Sequence, residues 1–142
     1  MKNLIFVAII LAGLSACTAL KSNSDRPGLA KLEGNWELEY ISGPRIAFNG
    51  LYPDRKPVMK IEVADKRVSG NSSCNSYSGK LVADDTHIRF DSPFVTTKMA
   101  CQGEGEAVFF QMLKKVSQYT ITGGKTLNLM MGDVSIMRFK RK

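Results

Sequence analysis

The sequence predicts a mainly β fold with a minor helical part: a small antiparallel barrel-like or wrapped sheet of about eight short strands with one α-helix near residues 104–117. Three observations predict it. Short segments alternate apolar and polar residues. Turn-forming dipeptides separate them at close intervals. Only one stretch changes to a helical period. At 142 residues, one domain accommodates the whole chain.

The elements follow in chain order. Trp36-Glu37-Leu38-Glu39-Tyr40-Ile41 alternates and reads as a strand with one buried face, with Trp36 as core. Ser42-Gly43-Pro44 ends it, and residues 45–57 read mostly as loop, with turn signals at Asn49-Gly50 and Pro53-Asp54. Val58–Val63 and Arg67–Gly70 flank Ala64-Asp65-Lys66 as a hairpin. Asn71–Gly79 is dominated by turn formers. Lys80–Ala83, His87–Phe90 and Pro93–Thr97 read as further short strands, with a turn at Asp84-Asp85. Between Glu104 and Tyr119, Ala107, Phe110, Met112, Leu113 and Val116 recur at helical spacing, with Phe109 on the flank. Glu104 and Glu106 at the start and Lys114 and Lys115 towards the end suit the helix dipole. Tyr119–Thr122, Thr126–Met130 and Val134–Phe139 close the chain, with Gly123-Gly124 and Gly132-Asp133 as turns.

The N-terminus reads as targeting sequence. Lys2 precedes an apolar run from Leu4 to Leu14, which is long enough for a signal peptide and shorter than the roughly 20 apolar residues of a membrane-spanning helix. Leu14-Ser15-Ala16-Cys17 resembles a bacterial lipobox. On that reading residues 1–16 are a lipoprotein signal peptide and Cys17 is the lipidated first residue. Residues 17–30 form the lipidated end and a flexible tether, and the domain spans 31–142. Thr18 rather than Asp after the cysteine points, by resemblance to enterobacterial sorting, to the outer membrane facing the periplasm. An ordinary signal peptide cleaved after Ala16, or a short anchor helix, is the alternative.

That compartment permits disulfides. Cys74 and Cys101 would close a loop worth roughly 3–4 kcal/mol, the alternative being two buried free thiols. One histidine and no Cys-x-x-Cys pair leave no zinc set, and no cofactor is expected. The formal charge of +7 is scattered except at Arg138, Lys140, Arg141 and Lys142. Those four read as a solvated strand end, or more sharply as a contact for anionic lipid. An extracytoplasmic domain excludes nucleic acid.

The order of features resembles the META domain of HslJ-like proteins, from about Leu32 to Phe139. The resemblance rests on Leu32-x-Gly34-x-Trp36-x-Leu38, on Pro57, on Arg67-Val68-Ser69-Gly70, and on Cys74-Asn75-x-Tyr77-x-Gly79 paired with Thr97-x-Met99-Ala100-Cys101. The helix from Glu106 to Leu113 and Leu127-x-Leu129 complete it. It implies a small extracytoplasmic β-rich domain without an agreed reaction, in a family linked to heat induction, novobiocin tolerance and envelope or secretion phenotypes. One departure is Ser73, where the family usually has Gly; a positive φ there would carry a steric cost.

No catalytic set emerges. There is no Gly-x-Ser-x-Gly elbow, Asp84 and Asp85 are sequence neighbours on a turn, and bridged cysteines leave His87 no thiolate partner. Asn75, Tyr77 and Thr97 form a candidate recognition loop, because they offer directional hydrogen bonds and an aromatic face. The competing reading makes them structural. Met99, Met112, Met130, Met131 and Met137 read as core filler. The functional expectation is a monomeric, non-enzymatic envelope lipoprotein that meets the membrane through its anchor and binds an envelope protein or steadies an assembly under stress. A carrier of small amphipathic ligands is the alternative, and inhibition of an extracytoplasmic enzyme is disfavoured by the basic charge.

Overall fold

A computed structural model describes residues 28–142. The leader, Cys17 and most of the tether lie outside the described residues. The elements are α1 (Leu29–Leu32), β1 (Gly34–Ile41), α2 (Phe48–Leu51), β2 (Val58–Glu62), β3 (Arg67–Asn71), β4 (Ser76–Ala83), β5 (Ile88–Thr96), α3 (Gly105–Leu113), β6 (Gln118–Thr122), β7 (Thr126–Met131) and β8 (Val134–Arg141).

All eight strands form one antiparallel sheet in the order β5-β4-β3-β2-β1-β8-β7-β6. Two meanders, β1 to β5 and β6 to β8, join where the first strand pairs with the last. The far edges meet at a His87–Gln118 bridge, where Ile88 N donates to Ser117 O at 3.2 Å and Tyr119 N to Thr86 O at 3.1 Å. The sheet is therefore a nearly closed barrel, which removes most of its edges. Beyond the bridge β5 diverges, and Pro93 stands in its open stretch, where a missing N–H costs no ladder bond.

Alternation dictates the core. Trp36, Leu38, Met59, Ile61, Val68, Tyr77, Leu81, Leu127, Leu129 and Phe139 point inward from their strands, and Leu32 of α1 joins them. Trp36 is fully buried, and its indole N–H donates to Leu32 O at 2.9 Å, so the ring hides its one polar atom. Met59, Met112 and Met137 are core, whereas Met99 and Met131 are exposed.

Several boundaries differ from the sequence reading. The helix ends at Leu113, because Val116 N reaches back to Leu113 O and Ser117 N bonds Met130 O, which draws the chain into the sheet. Its buried face is centred on Phe109, Met112 and Leu113, while Ala107 is exposed. Small Ala107 carried too little weight to fix the rotation against two adjacent phenylalanines. Lys114 and Lys115 follow the helix rather than form its last turn. Ser76–Gly79, within the segment dominated by turn formers, belongs to β4. The two short strands His87–Phe90 and Pro93–Thr97 are one strand, β5. Phe48–Leu51 makes a helical turn in the expected loop. The first described element is α1, Leu29–Leu32.

Three of the four C-terminal cations, Arg138, Arg141 and Lys142, are engaged within the fold. The Arg141 guanidinium stacks 4.1 Å from the Trp36 ring centre. It donates to Glu33 O at 2.7 Å, Lys31 O at 2.6 Å and Gly124 O at 2.9 Å. It thus caps the carbonyl end of α1 and ties it to the β6–β7 turn. Gly34 has φ +128°, and a Cβ there would stand 2.6 Å from Arg141 Nη1, so glycine is needed on both counts. Lys142 pairs with Glu37 at 2.8 Å and Arg138 covers the Tyr40 ring. Residues 28–142 therefore hold the whole sheet, its core and the clasp between their two ends.

Arg141→Ala should cost about 2 kcal/mol, from lost charge-assisted hydrogen bonds and the ring contact. Arg141→Lys should recover only part of it, since an ammonium cannot form the planar fork. Urea unfolding of the three proteins measures both. Equal stability of all three would remove the clasp from the account.

Candidate functional site

The recognition-loop residues meet at one end of β4. Asn75 is 3% exposed. Its Oδ1 accepts from Met99 N at 2.8 Å and from Thr97 Oγ1 at 2.8 Å. The Met99 donor is unambiguous, so it fixes the orientation of the amide. Asn75 Nδ2 donates to Glu106 Oε1 at 3.0 Å and to Met99 O at 3.2 Å, and it lies 3.0 Å from Cys101 Sγ. The backbone N–H of Asn75 donates to Glu106 Oε2 at 3.1 Å. Ser72 Oγ also donates to Glu106 Oε2, and Ser72 N and Oγ reach Asn75 O. One carboxylate from α3 thus accepts from the Asn75 amide just before β4, and that amide satisfies the Met99 backbone.

Cys74 and Cys101 form a disulfide with Cα atoms 5.9 Å apart, beside this network. It settles the choice between bridge and free thiols. Cys74, Cys101 and Glu106 place ligand-type atoms together, but both sulfurs are spent in the bridge. Tyr77 lies below, buried, with its hydroxyl donating to Val58 O at 3.2 Å and its pKa pushed up by burial. Phe94, Phe109 and Phe110 surround its ring with centroids 5.5–5.7 Å away, and these contacts dock α3 on the barrel. Thr97 is exposed, yet its hydroxyl is shared between Asn75 Oδ1 and Ser76 N.

The structure therefore brings Asn75 and Thr97 together, places Tyr77 in the core, and points their polar atoms inward. Above them opens a hollow of about 460 Å³ walled by Asp54, Arg55, Met99, Gln102 and the disulfide, with Met99 61% exposed. Sequence reasoning placed Glu106 only as a first-turn acid. Its position one turn before Phe109 and Phe110 sets it on the docking side of the helix, and that was the available signal. Ser73 has φ +91°. The steric cost foreseen for serine at this position is present, and Ser73 N is held by Asn71 Oδ1 at 3.0 Å.

The only histidine sits elsewhere. Asp84 Oδ1 accepts from His87 N at 2.7 Å and Thr86 N at 2.8 Å, a local turn that displays His87 to solvent. Those two backbone bonds hold the Asp84 carboxyl down, from 3.8 to about 2. Asp85 instead accepts Leu29 N at 3.1 Å, so the neighbouring acids serve different partners. Tyr119, whose hydroxyl donates to Asp84 O, is pushed up to about 12 by burial and then by Asp85 and Asp84.

Two outcomes follow from this geometry. Ser73→Gly should stabilise the domain by about 1 kcal/mol, because it removes a left-handed serine and keeps the backbone bond; a calorimetric midpoint that falls would contradict it. For Asp84, a depressed folded pKa means a contribution fully present above the unfolded value of 3.8 and lost as pH falls through about 2. The acid limb of a stability-versus-pH curve should therefore flatten over that window in Asp84→Asn. A limb unchanged from the parent would refute the assignment.

The sequence matches the META domain family over residues 29–142. Among curated proteins none is significantly similar. The fold is similar to an NMR structure of a protein from Burkholderia xenovorans, at TM-score 0.60 and 17% identity over 100% of this chain and 98% of that one. A second NMR structure matches at TM-score 0.55 and 19% identity, over 78% of this chain and 90% of the other. At such identities the likeness concerns the fold. The match over residues 29–142, which contains every strand among the described residues and the Asn75 network, places this chain in the META domain family.

Proposed function

We propose that the chain is a non-enzymatic lipoprotein of the bacterial envelope, anchored through Cys17 in the outer membrane, facing the periplasm and acting as a monomeric binding or structural module under stress. META domain membership supports envelope association. The observation that carries the reading is the Cys74–Cys101 disulfide, a bond at home in an oxidising compartment. The candidate site adds to it. Its amide, hydroxyls and carboxylate are bonded to one another, which suits a rigid platform better than a group that must give up or take a proton. The partner on this reading is another envelope protein. A small-ligand reading is favoured by a separate apolar hollow at the opposite end of β4, with two lysines at its wall.

Growth with a labelled fatty acid tests the anchor. The parent should take up label and fractionate with the outer membrane, and Cys17→Ser should lose the label and leave the membrane fraction. Unlabelled parent, or a Cys17→Ser protein that still sediments with label, would overturn the reading.

A further inference from the structure

The far end of β4 carries a second feature. A hollow of about 260 Å³ lies between α1, the β2–β3 turn and the last residues of β4. Leu29, Val63, Leu81, Val82 and Ala83 supply its apolar wall, and Lys66 and Lys80 its charge. Neither ammonium has a hydrogen-bond or ion-pair partner among the described residues. The nearby acids are committed elsewhere: Glu62 to Lys60 at 2.6 Å, Asp91 to Arg89 at 3.0 Å, and Asp85 to Leu29 N. Asp65 stands exposed in the same turn as Lys66.

Lys80 stands opposite Arg67 on β3 and opposite Asp91 on β5, whose carboxylate is paired with Arg89 at 3.0 Å. Lys66 has φ +50°, where glycine or asparagine is usual, and Leu81 N is bonded to its carbonyl. An anion placed between the two ammonium groups meets two charged donors. Past Val82, 40% exposed, lies a hollow of about 390 Å³ that shares Val82 and Ala83, with buried Ile88 and Val116 and with Asp84, His87, Arg89 and Ser117 in its wall.

The geometry points to a binding site for a single-chain alkyl carboxylate: the carboxylate sits between Lys66 and Lys80, and the chain runs across Val82 toward Val116. The first hollow is below the ~300 Å³ of ordinary ligand cavities, so it takes the head and first part of the chain, and the second takes the rest. This rests on the small-ligand reading and does not require the lipid anchor.

The test uses residues 28–142 and dodecanoate below its micelle concentration, followed by thermal shift and by amide chemical shifts. The parent should show a saturable rise in melting temperature, with shifted amides at Val63–Arg67 and Leu81–Ala83. Lys66→Gly should fold at least as stably, since it relieves the positive φ, yet bind about tenfold more weakly, as should Lys80→Gln. Dodecanol should bind more weakly than dodecanoate in the parent. Saturable binding that is equal in parent and lysine variants would overturn the site while leaving a ligand-binding role elsewhere. No saturable response to either dodecanoate or dodecanol would overturn both.

Discussion

The pair of hydrogen bonds that Asn75 donates to Glu106 is the constraint on which one end of this molecule depends. A barrel of eight short strands leaves its ends open, and the chain must cross them without burying unpaired polar groups. Here the crossing from β5 to α3 is irregular from Thr97 to Glu104. Thr97 N still reaches Ser76 O across from β4, and past it Asn75 meets the backbone through both faces of its amide, at Met99 N and Met99 O. Glu106 in turn fixes Asn75 and Ser72. The disulfide then holds the same crossing covalently, at a point already positioned by hydrogen bonds.

The rest of the architecture follows from that closure. With the 97–104 segment fixed, Phe109 and Phe110 fall against Tyr77 and Phe94, and α3 occupies the gap that β5 leaves as it diverges from β6. The opposite end is closed differently. There α1 lies across the mouth with Leu32 buried, pinned by Asp85 at one end and by Arg141 at the other. Chain order explains the asymmetry. The first and last strands are neighbours, so a single C-terminal arginine reaches the segment entering β1. One end is stapled and polar inside; the other is lighter, apolar and lysine-rimmed.

Much of this was legible in the residues, and the exceptions have physical causes. Alternation around Trp36, Ile61, Leu127 and Phe139 marks strands because a half-buried pleat needs it. Gly123-Gly124 and Asp65-Lys66 mark turns for conformational reasons. Ser76–Gly79 was opaque: small polar residues belong to β4 because the network at Asn75 and the buried ring of Tyr77 hold them there, a tertiary effect with no local signature. Helix rotation about Phe109 was opaque for a similar reason, since two adjacent aromatics fit either face until Tyr77 is in place. At the site, Asn75, Tyr77 and Thr97 could be singled out as a group, but the roles of Glu106 and Arg141 needed the third dimension. Both are ionic groups that act on backbone distant in sequence.

Native-state hydrogen exchange tests the central claim most directly. If the Asn75–Glu106 pair closes the barrel end, the amides of Asn75 and Met99 should exchange only through global unfolding, at the free energy shown by the core strands. They should keep that protection after the disulfide is reduced, at the lower global stability of the reduced protein. Rapid exchange of both amides in the oxidised protein, while Leu38 and Leu129 stay protected, would show that the end opens locally. The hydrogen-bonded pair would then not be what closes the fold.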